Sequence, residues 1–286
     1  MRRLAEALGA ALGWLAWALR VRRRVVMDNL ALAFPEKSLA ERRSIGRATF
    51  LNLGRMAADF LLLSRRTPEE IERIFAYDEG SHERLEAAQR SGRGVVVCTA
   101  HYGNFEILAA AHTRRGVHAT MITRAMGGAW FDRLWRRARA RAGVEDLVVR
   151  RGETLSAAMR SMREGRVLGY VIDQNQPRHG IFPTFFGVPA ATAPTPAYLA
   201  LRTGAVVLLM VTMPLGDGRH RVAVEGPLEM PRTGDRARDV LAFTQDLNDR
   251  LERWVRAHPE QWYWLHRRWK TRPPGEPPGG PRPPRD

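Results

Sequence analysis

The chain has 286 residues, 44% of them hydrophobic, and a formal charge of +16 from 46 Lys and Arg against 30 Asp and Glu. Such a composition builds one large core, or a core with small extensions, and excludes a disordered polymer; a single cysteine excludes an intramolecular disulfide and a multi-cysteine metal site. The positive excess is nearly all arginine and favours an acidic partner, whether nucleic acid, an anionic bilayer face, a phosphorylated substrate or an acidic protein, without choosing among them.

The N-terminus reads Arg2-Arg3, a mostly apolar stretch from Leu4 to Leu19 broken by Glu6, then Arg20-Val21-Arg22-Arg23-Arg24. The stretch is shorter than the ~20 residues that span a bilayer comfortably, and Trp14 and Trp17 are of the type favoured at a membrane boundary. No small-residue cleavage site precedes the basic cluster, so a removable signal peptide is not expected. Residues 1–25 are expected to form a membrane-associating helix, interfacial or a short tilted span, with a soluble core helix as the alternative. The basic cluster places the following domain, residues 26–270, on the cytoplasmic side.

Residues 38 to 75 are expected to be helical. Ser38-Leu39-Ala40-Glu41 has the spacing of a capping box, and Thr67-Pro68-Glu69-Glu70 repeats an N-cap with a first-turn proline. Then Gly94–Ala100, Arg166–Ile172 and Ala205–Val211 are short β-branched runs of the kind buried on both faces of a sheet. Cys98 lies inside the first run and is expected to be a core thiol. Helical segments, Ala129–Ala142 and Gly152–Glu164, lie between the strands. This alternation predicts an α/β fold, a largely parallel central sheet flanked by helices. Thr271–Asp286 is dominated by Pro, Gly and Arg and is expected to be a disordered tail.

The first strand runs directly into His101-Tyr102-Gly103-Asn104-Phe105-Glu106, followed by helix-forming residues. In open α/β sheets ligands bind beyond the carboxyl ends of strands, where His101 falls. Gly103 permits a tight turn, Asn104 suits an N-cap, and Glu106 sits in the first helical turn, able to reach back to the imidazole. A neutral imidazole can take the proton of an alcohol attacking a carbonyl, and a carboxylate on its other nitrogen fixes the tautomer and stabilises the imidazolium. No Gly-x-Ser-x-Gly is present, so the expected chemistry is direct transfer to a substrate hydroxyl without a covalent intermediate. A strand-end histidine that merely caps a helix is the alternative.

His101-Tyr102-Gly103-Asn104-Phe105-Glu106 resembles the His-x4-Asp/Glu motif of glycerolipid and lysophospholipid acyltransferases, and more narrowly the late acyltransferases of lipid A biosynthesis, the lauroyl and myristoyl transferase family. Further blocks carry the narrower resemblance in order: Asn29–Glu36, Asp173-Gln174-Asn175, Phe185-Phe186-Gly187, Arg202–Ala205, and Pro259-Glu260-Gln261-Trp262 leading into Trp264–Trp269. Together they cover residues 1 to 272. The resemblance implies an acyl carrier protein thioester as donor, a phosphorylated glycolipid as acceptor, and the cytoplasmic face of a bacterial inner membrane as the place of action. It assigns base and carboxylate to His101 and Glu106, and adds Arg139, four residues before Gly143, and the strand-end Asp173 with Gln174. The Asp-Gln-Asn sequence departs from the narrowest subfamily and leaves the acceptor open; an acyl-CoA-dependent transferase for a phosphatidylinositol mannoside is the enzymatic alternative.

Independently of that resemblance, Asp173 follows a strand and could face His101 across the crevice, or simply form a turn. Arg139 lies in an arginine-rich helical face from which physics alone does not select it. Arg124 is a further phosphate-binding candidate. The segment Gln261–Lys270 mixes aromatic and basic residues and reads as a bilayer-interface belt, an acyl-chain wall or a core-closing element. His112, His118, His179, His220 and His258 lack ligand spacing and no nucleotide-binding glycine pattern is present, so no metal or other cofactor is expected. A basic nucleic-acid-binding protein is the non-enzymatic alternative, but these arginines do not form a stripe on one recognition element.

Overall fold

The computed structural model describes residues 2–63, 66–108, 118–123, 133, 135–137, 139–140, 145–148 and 154–276. The chain opens with helices α1 (Arg2–Ala18), α2 (Arg23–Ala33), α3 (Leu39–Leu63) and α4 (Pro68–Arg73). There follow β1 (Phe75–Tyr77), α5 (Ser81–Arg90), β2 (Val95–Thr99), β3 (Ala119–Thr123), β4 (Glu145–Val148), α6 (Thr154–Arg163) and β5 (Val167–Val171). The remainder comprises β6 (Thr184–Phe185), β7 (Val188–Pro189), α7 (Thr195–Thr203), β8 (Val206–Pro214), β9 (His220–Glu225) and α8 (Arg236–Ala257). They form two compact units, one of Met1–Ala58, Ile172–Pro194 and Pro231–Asp286, the other of Asp59–Val171 and Thr195–Met230. Each unit is assembled from separated segments, an organisation that a linear reading of composition does not give.

The second unit is built on a seven-stranded sheet in the order β1-β9-β8-β2-β5-β3-β4. All neighbours are parallel except β8 and β9, so the sheet is mixed and mostly parallel, in accord with the α/β expectation. The exception has a local cause. Only a short turn joins β8 to β9, with the Leu215 N–H donating to the Arg219 carbonyl at 2.9 Å, and a connection this short can only reverse the chain. Central β2 is buried along its whole length; Val95 and Val97 pack with Leu208, Met210, Val222 and Val224 in the core. Burial pushes the Cys98 thiol up from its ordinary range, which makes it a packing group rather than a nucleophile.

The expected capping box forms at Ser38, and the Thr67 N-cap proves to be a second one. The Ser38 N–H donates to Glu41 Oε2 at 2.8 Å and the Glu41 N–H to Ser38 Oγ at 3.2 Å; Thr67 and Glu70 exchange the same pair at 2.9 and 3.3 Å.

In the first unit, α1 docks on α3 through glycines. A Cβ on Gly54 would lie 1.9 Å from the Gly9 carbonyl oxygen, and one on Gly13 would lie 2.1 Å from that of Phe50. The backbones therefore touch, as in small-xxx-small packing, and Trp17 closes the contact edge-on to Phe50 at 5.5 Å. Away from Gly9, Gly13 and Trp17, α1 exposes Leu4, Leu8, Leu12, Trp14 and Leu15, an apolar stripe at helical spacing. No single helix among the described residues is long and apolar enough to cross a membrane; α1 and α2 reach that composition only together, across an 87° bend.

The aromatic-basic segment closes the core of this unit rather than forming an exposed belt. Trp262, Trp264, Arg268 and Trp269 are all buried. Trp269 stacks on Phe185 at 5.9 Å, and Asn29 of α2 donates to the carbonyls of Trp264 and His266, each at 2.8 Å. The residues just beyond are also tied down. Asn175 Oδ1 accepts from the Thr271 N–H at 3.1 Å, and Arg272 pairs with Glu276; of the expected tail, residues 277–286 lie outside the described residues.

Candidate active site

β2 delivers the site. Its last residue is Thr99, and His101 stands two positions further on, half-buried, beyond the carboxyl end of a strand flanked by parallel β5 and β8. The chain then turns sharply at Gly103, whose φ is +54°. A Cβ there would meet the Thr212 carbonyl oxygen of β8 at 1.6 Å, so this position needs glycine for space as well as for conformation. Gly103→Ala is expected to push the turn off β8 and misplace His101, costing on the order of 10²-fold in turnover; a steady-state assay on the folded variant checks it, and wild-type turnover would refute it.

Helix begins at Phe105. Its ring lies edge-on to the His101 imidazole at 4.7 Å. One residue on, Glu106 is 6% exposed, and both its oxygens are held by Arg139: Nε donates to Oε2 at 2.8 Å and Nη2 to Oε1 at 2.7 Å. This bidentate geometry fixes the plane of the carboxylate. Arg139 lies in the helical residues 139–140, following 135–137, and Trp135 there stacks on Phe60 at 4.2 Å. The tertiary structure thus picks Arg139 out of its arginine-rich neighbours on physical grounds.

Asn104 departs from expectation. It is only 3% exposed, and among the described residues neither its side-chain oxygen nor its nitrogen has a hydrogen-bond partner; its backbone carbonyl serves the helix start, accepting from the Ile107 N–H at 3.2 Å. The side chain does not act as an N-cap because it is turned into the protein. An unpaired buried amide is costly, and this one sits between the imidazole and the carboxylate in sequence.

Asp173 and Gln174 belong to the first unit. Asp173 is buried and accepts from the Trp262 indole N–H at 2.8 Å. Arg268 donates to the Ala191 carbonyl at 2.8 Å, to Thr192 Oγ1 at 2.6 Å and to the Gln174 carbonyl at 3.4 Å. Burial lowers the Arg268 pKa to about 10, and the Asp173 charge opposes that shift. Arg268 is the residue that the sequence reading missed; the signal was an arginine set between tryptophans in a segment with no room for solvent. Arg124 and Gly143 lie outside the described residues.

Beneath the turn, an apolar cavity is lined by Val97, Thr99, Phe105, Leu108, Met121 and Gly169, among others. Phe105 therefore has one neighbour in the imidazole and another in this cavity.

The chain is similar to known proteins over most of its length. The family described as bacterial lipid A biosynthesis acyltransferase matches residues 2–271. The lipid A biosynthesis myristoyltransferase of Escherichia coli (strain K12) is 29% identical over 257 residues, 89% of this chain and 77% of that protein. The lauroyltransferase of the same organism is 29% identical over 276 residues, 94% and 86%. A phosphatidylinositol mannoside acyltransferase of Mycobacterium tuberculosis is 28% identical over 208 residues, 72% and 62%. The chain is an O-acyltransferase, which replaces the nucleic-acid-binding alternative. It belongs to the bacterial lipid A biosynthesis acyltransferase family.

Proposed function

We propose that the protein moves a fatty acyl group from an acyl carrier protein thioester to a hydroxyl of a lipid A precursor or a related phosphorylated glycolipid, at the cytoplasmic face of a bacterial inner membrane. The observation that carries this reading is Phe105, which joins a strand-end imidazole to an apolar cavity. His101 takes the proton of the acceptor hydroxyl as its oxygen attacks the thioester carbonyl. The carbon–sulfur bond then breaks, and the imidazolium returns the proton to the departing thiolate. Glu106 orients the imidazole and stabilises its charged form, and Arg139 holds Glu106. Asn104 and Gly103 shape the turn beside the reacting carbonyl.

The cavity of about 40 Å³ is far smaller than an acyl chain. The chain enters as Phe105 and the flexible thioether of Met121, whose sulfur lies directly over Gly169, move aside. The test is a purified-enzyme assay pairing acyl carrier protein and CoA thioesters with lipid A precursor and with phosphatidylinositol mannoside. Transfer to the lipid A precursor from the carrier protein supports the reading. Transfer only from CoA to the mannoside would move the assignment to the second acceptor, which the mycobacterial similarity favours.

The exposed stripe of α1 supports an interfacial position for this helix, its leucines immersed and Trp14 at the boundary. Deleting α1 would also strip Trp17 and the glycine contacts from α3, so substitution is the cleaner test. Leu8→Gln, Leu12→Gln and Leu15→Gln together should leave the melting temperature unchanged and reduce the membrane-bound fraction at least ~10-fold, since each leucine carries roughly 1.5–3 kcal/mol of transfer energy. Sedimentation with membranes in low and high salt measures this; unchanged binding of the triple variant would place the anchor elsewhere.

A further inference from the structure

The turn between α1 and α2 gathers four arginines round one open basin. Arg20, Arg23, Arg24 and Arg43 line it together with Met27, and its volume of about 390 Å³ suits a headgroup rather than a single small ion. The turn that creates it is unusual: Arg20 and Arg22 both adopt positive φ, at 60° and 49°, a conformation that side chains other than Gly, Asn and Asp rarely take. The Val21 N–H reaches back to the Ala16 carbonyl at 3.0 Å and the Arg23 N–H to that of Arg20 at 3.2 Å, so the chain doubles back and turns successive arginines toward one place.

Two further observations point to an anion. The Arg23 guanidinium is held 4.3 Å over the ring of buried Trp17, a cation–π contact that positions it in advance. Little negative charge answers the cluster: Arg24 meets Asp28 only at 3.8 Å on the exposed surface, and among the described residues Arg20, Arg23 and Arg43 have no carboxylate within ion-pair distance. Like charges drawn together this way repel one another until an anion arrives, and a guanidinium cluster matches the oxygens of a phosphate. The location narrows the source. Exposed Leu19 and Val21 flank the turn and continue the stripe of α1, so an anion bound here sits beside side chains suited to a bilayer.

We propose that this basin binds the phosphate of an anionic lipid headgroup, making membrane attachment a defined site as well as a diffuse attraction. The inference rests on the interfacial reading of α1, and the experiment separates the two. Binding to phosphatidylcholine vesicles, with and without added phosphatidylglycerol, is measured for the full-length protein and two variants. Arg20→Gln/Arg43→Gln removes two charges from the basin. Arg3→Gln/Arg47→Gln removes two exposed charges outside it, one on α1 and one on α3. The gain in binding that phosphatidylglycerol confers should fall at least ~10-fold in the basin variant and less than ~3-fold in the other. Equal losses in both variants would overturn the site in favour of diffuse attraction. Absent binding to phosphatidylcholine alone, with the basin-specific gain retained, would sink the interfacial reading of α1 and leave the basin standing. Saturable binding of inorganic phosphate to vesicle-free protein, with no gain on anionic vesicles, would overturn the lipid assignment.

Discussion

His101→Ala is expected to lower acyl transfer by roughly 10²–10⁴-fold or more, the usual contribution of a positioned general base, while the protein stays folded. His101 lies beyond the end of β2, half-buried and outside the hydrophobic core cluster, with the Phe105 ring edge-on to it at 4.7 Å. Losing such a contact costs about 0.5–1.5 kcal/mol, too little to unfold a chain of this size. The discriminating measurement combines a melting curve with single-turnover transfer from a defined thioester. A folded variant that turns over within a few-fold of wild type would remove His101 from the role of base.

Glu106→Gln is expected to lose both activity and stability, for separable reasons. The carboxylate and Arg139 form a bidentate pair whose side chains are 4% and 11% exposed. Removing one charge takes this partner from a desolvated guanidinium, and breaking a buried pair in this way typically costs about 3–5 kcal/mol. Turnover should fall on the order of 10²-fold or more as the imidazole loses its orienting partner. The double variant Glu106→Leu/Arg139→Leu tests the division, because replacing a buried pair by apolar side chains is often neutral. It should regain most of the lost melting temperature and none of the lost turnover. Recovery of turnover in the double variant would make the pair a packing device only. Wild-type turnover in Glu106→Gln would reduce Glu106 to a helix-start residue.

The Glu106 experiment would not have taken this form from the sequence. Glu106 was legible there as a carboxylate able to reach the imidazole, and Arg139 entered only through resemblance. That an arginine more than thirty residues away closes on both carboxylate oxygens is a tertiary fact, since an arginine-rich helix presents several equivalent guanidiniums and periodicity cannot rank them. Asn104 shows the opposite failure. Local statistics favour asparagine at a helix start, but its side chain turns inward and is buried despite the cost of hydrogen bonds left unmet among the described residues, a direction set by the packing of the turn and not by local preference.

The sequence by itself determined what depends on neighbours along the chain. The Ser38 capping box and the Thr67 N-cap involve groups three residues apart and formed where the sequence places them. The apolar runs became β2, β5 and β8 because a continuous β-branched stretch is stable only when covered on both faces. The His101 turn followed because a strand end, a glycine and a helix start are consecutive. The tertiary structure decided whatever composition leaves degenerate. A stretch of tryptophans and arginines suits a bilayer surface or a core equally well, and only the contacts with Asn29, Phe185 and Asp173 put Trp262–Trp269 inside. Leucines at helical spacing likewise say that a helix has an apolar side, but not what covers it. In α1 the glycines fill the α3 contact, so the leucines are left facing outward. Burial is a property of pairs of surfaces, and the partner surface is brought to each segment by parts of the chain far away in sequence.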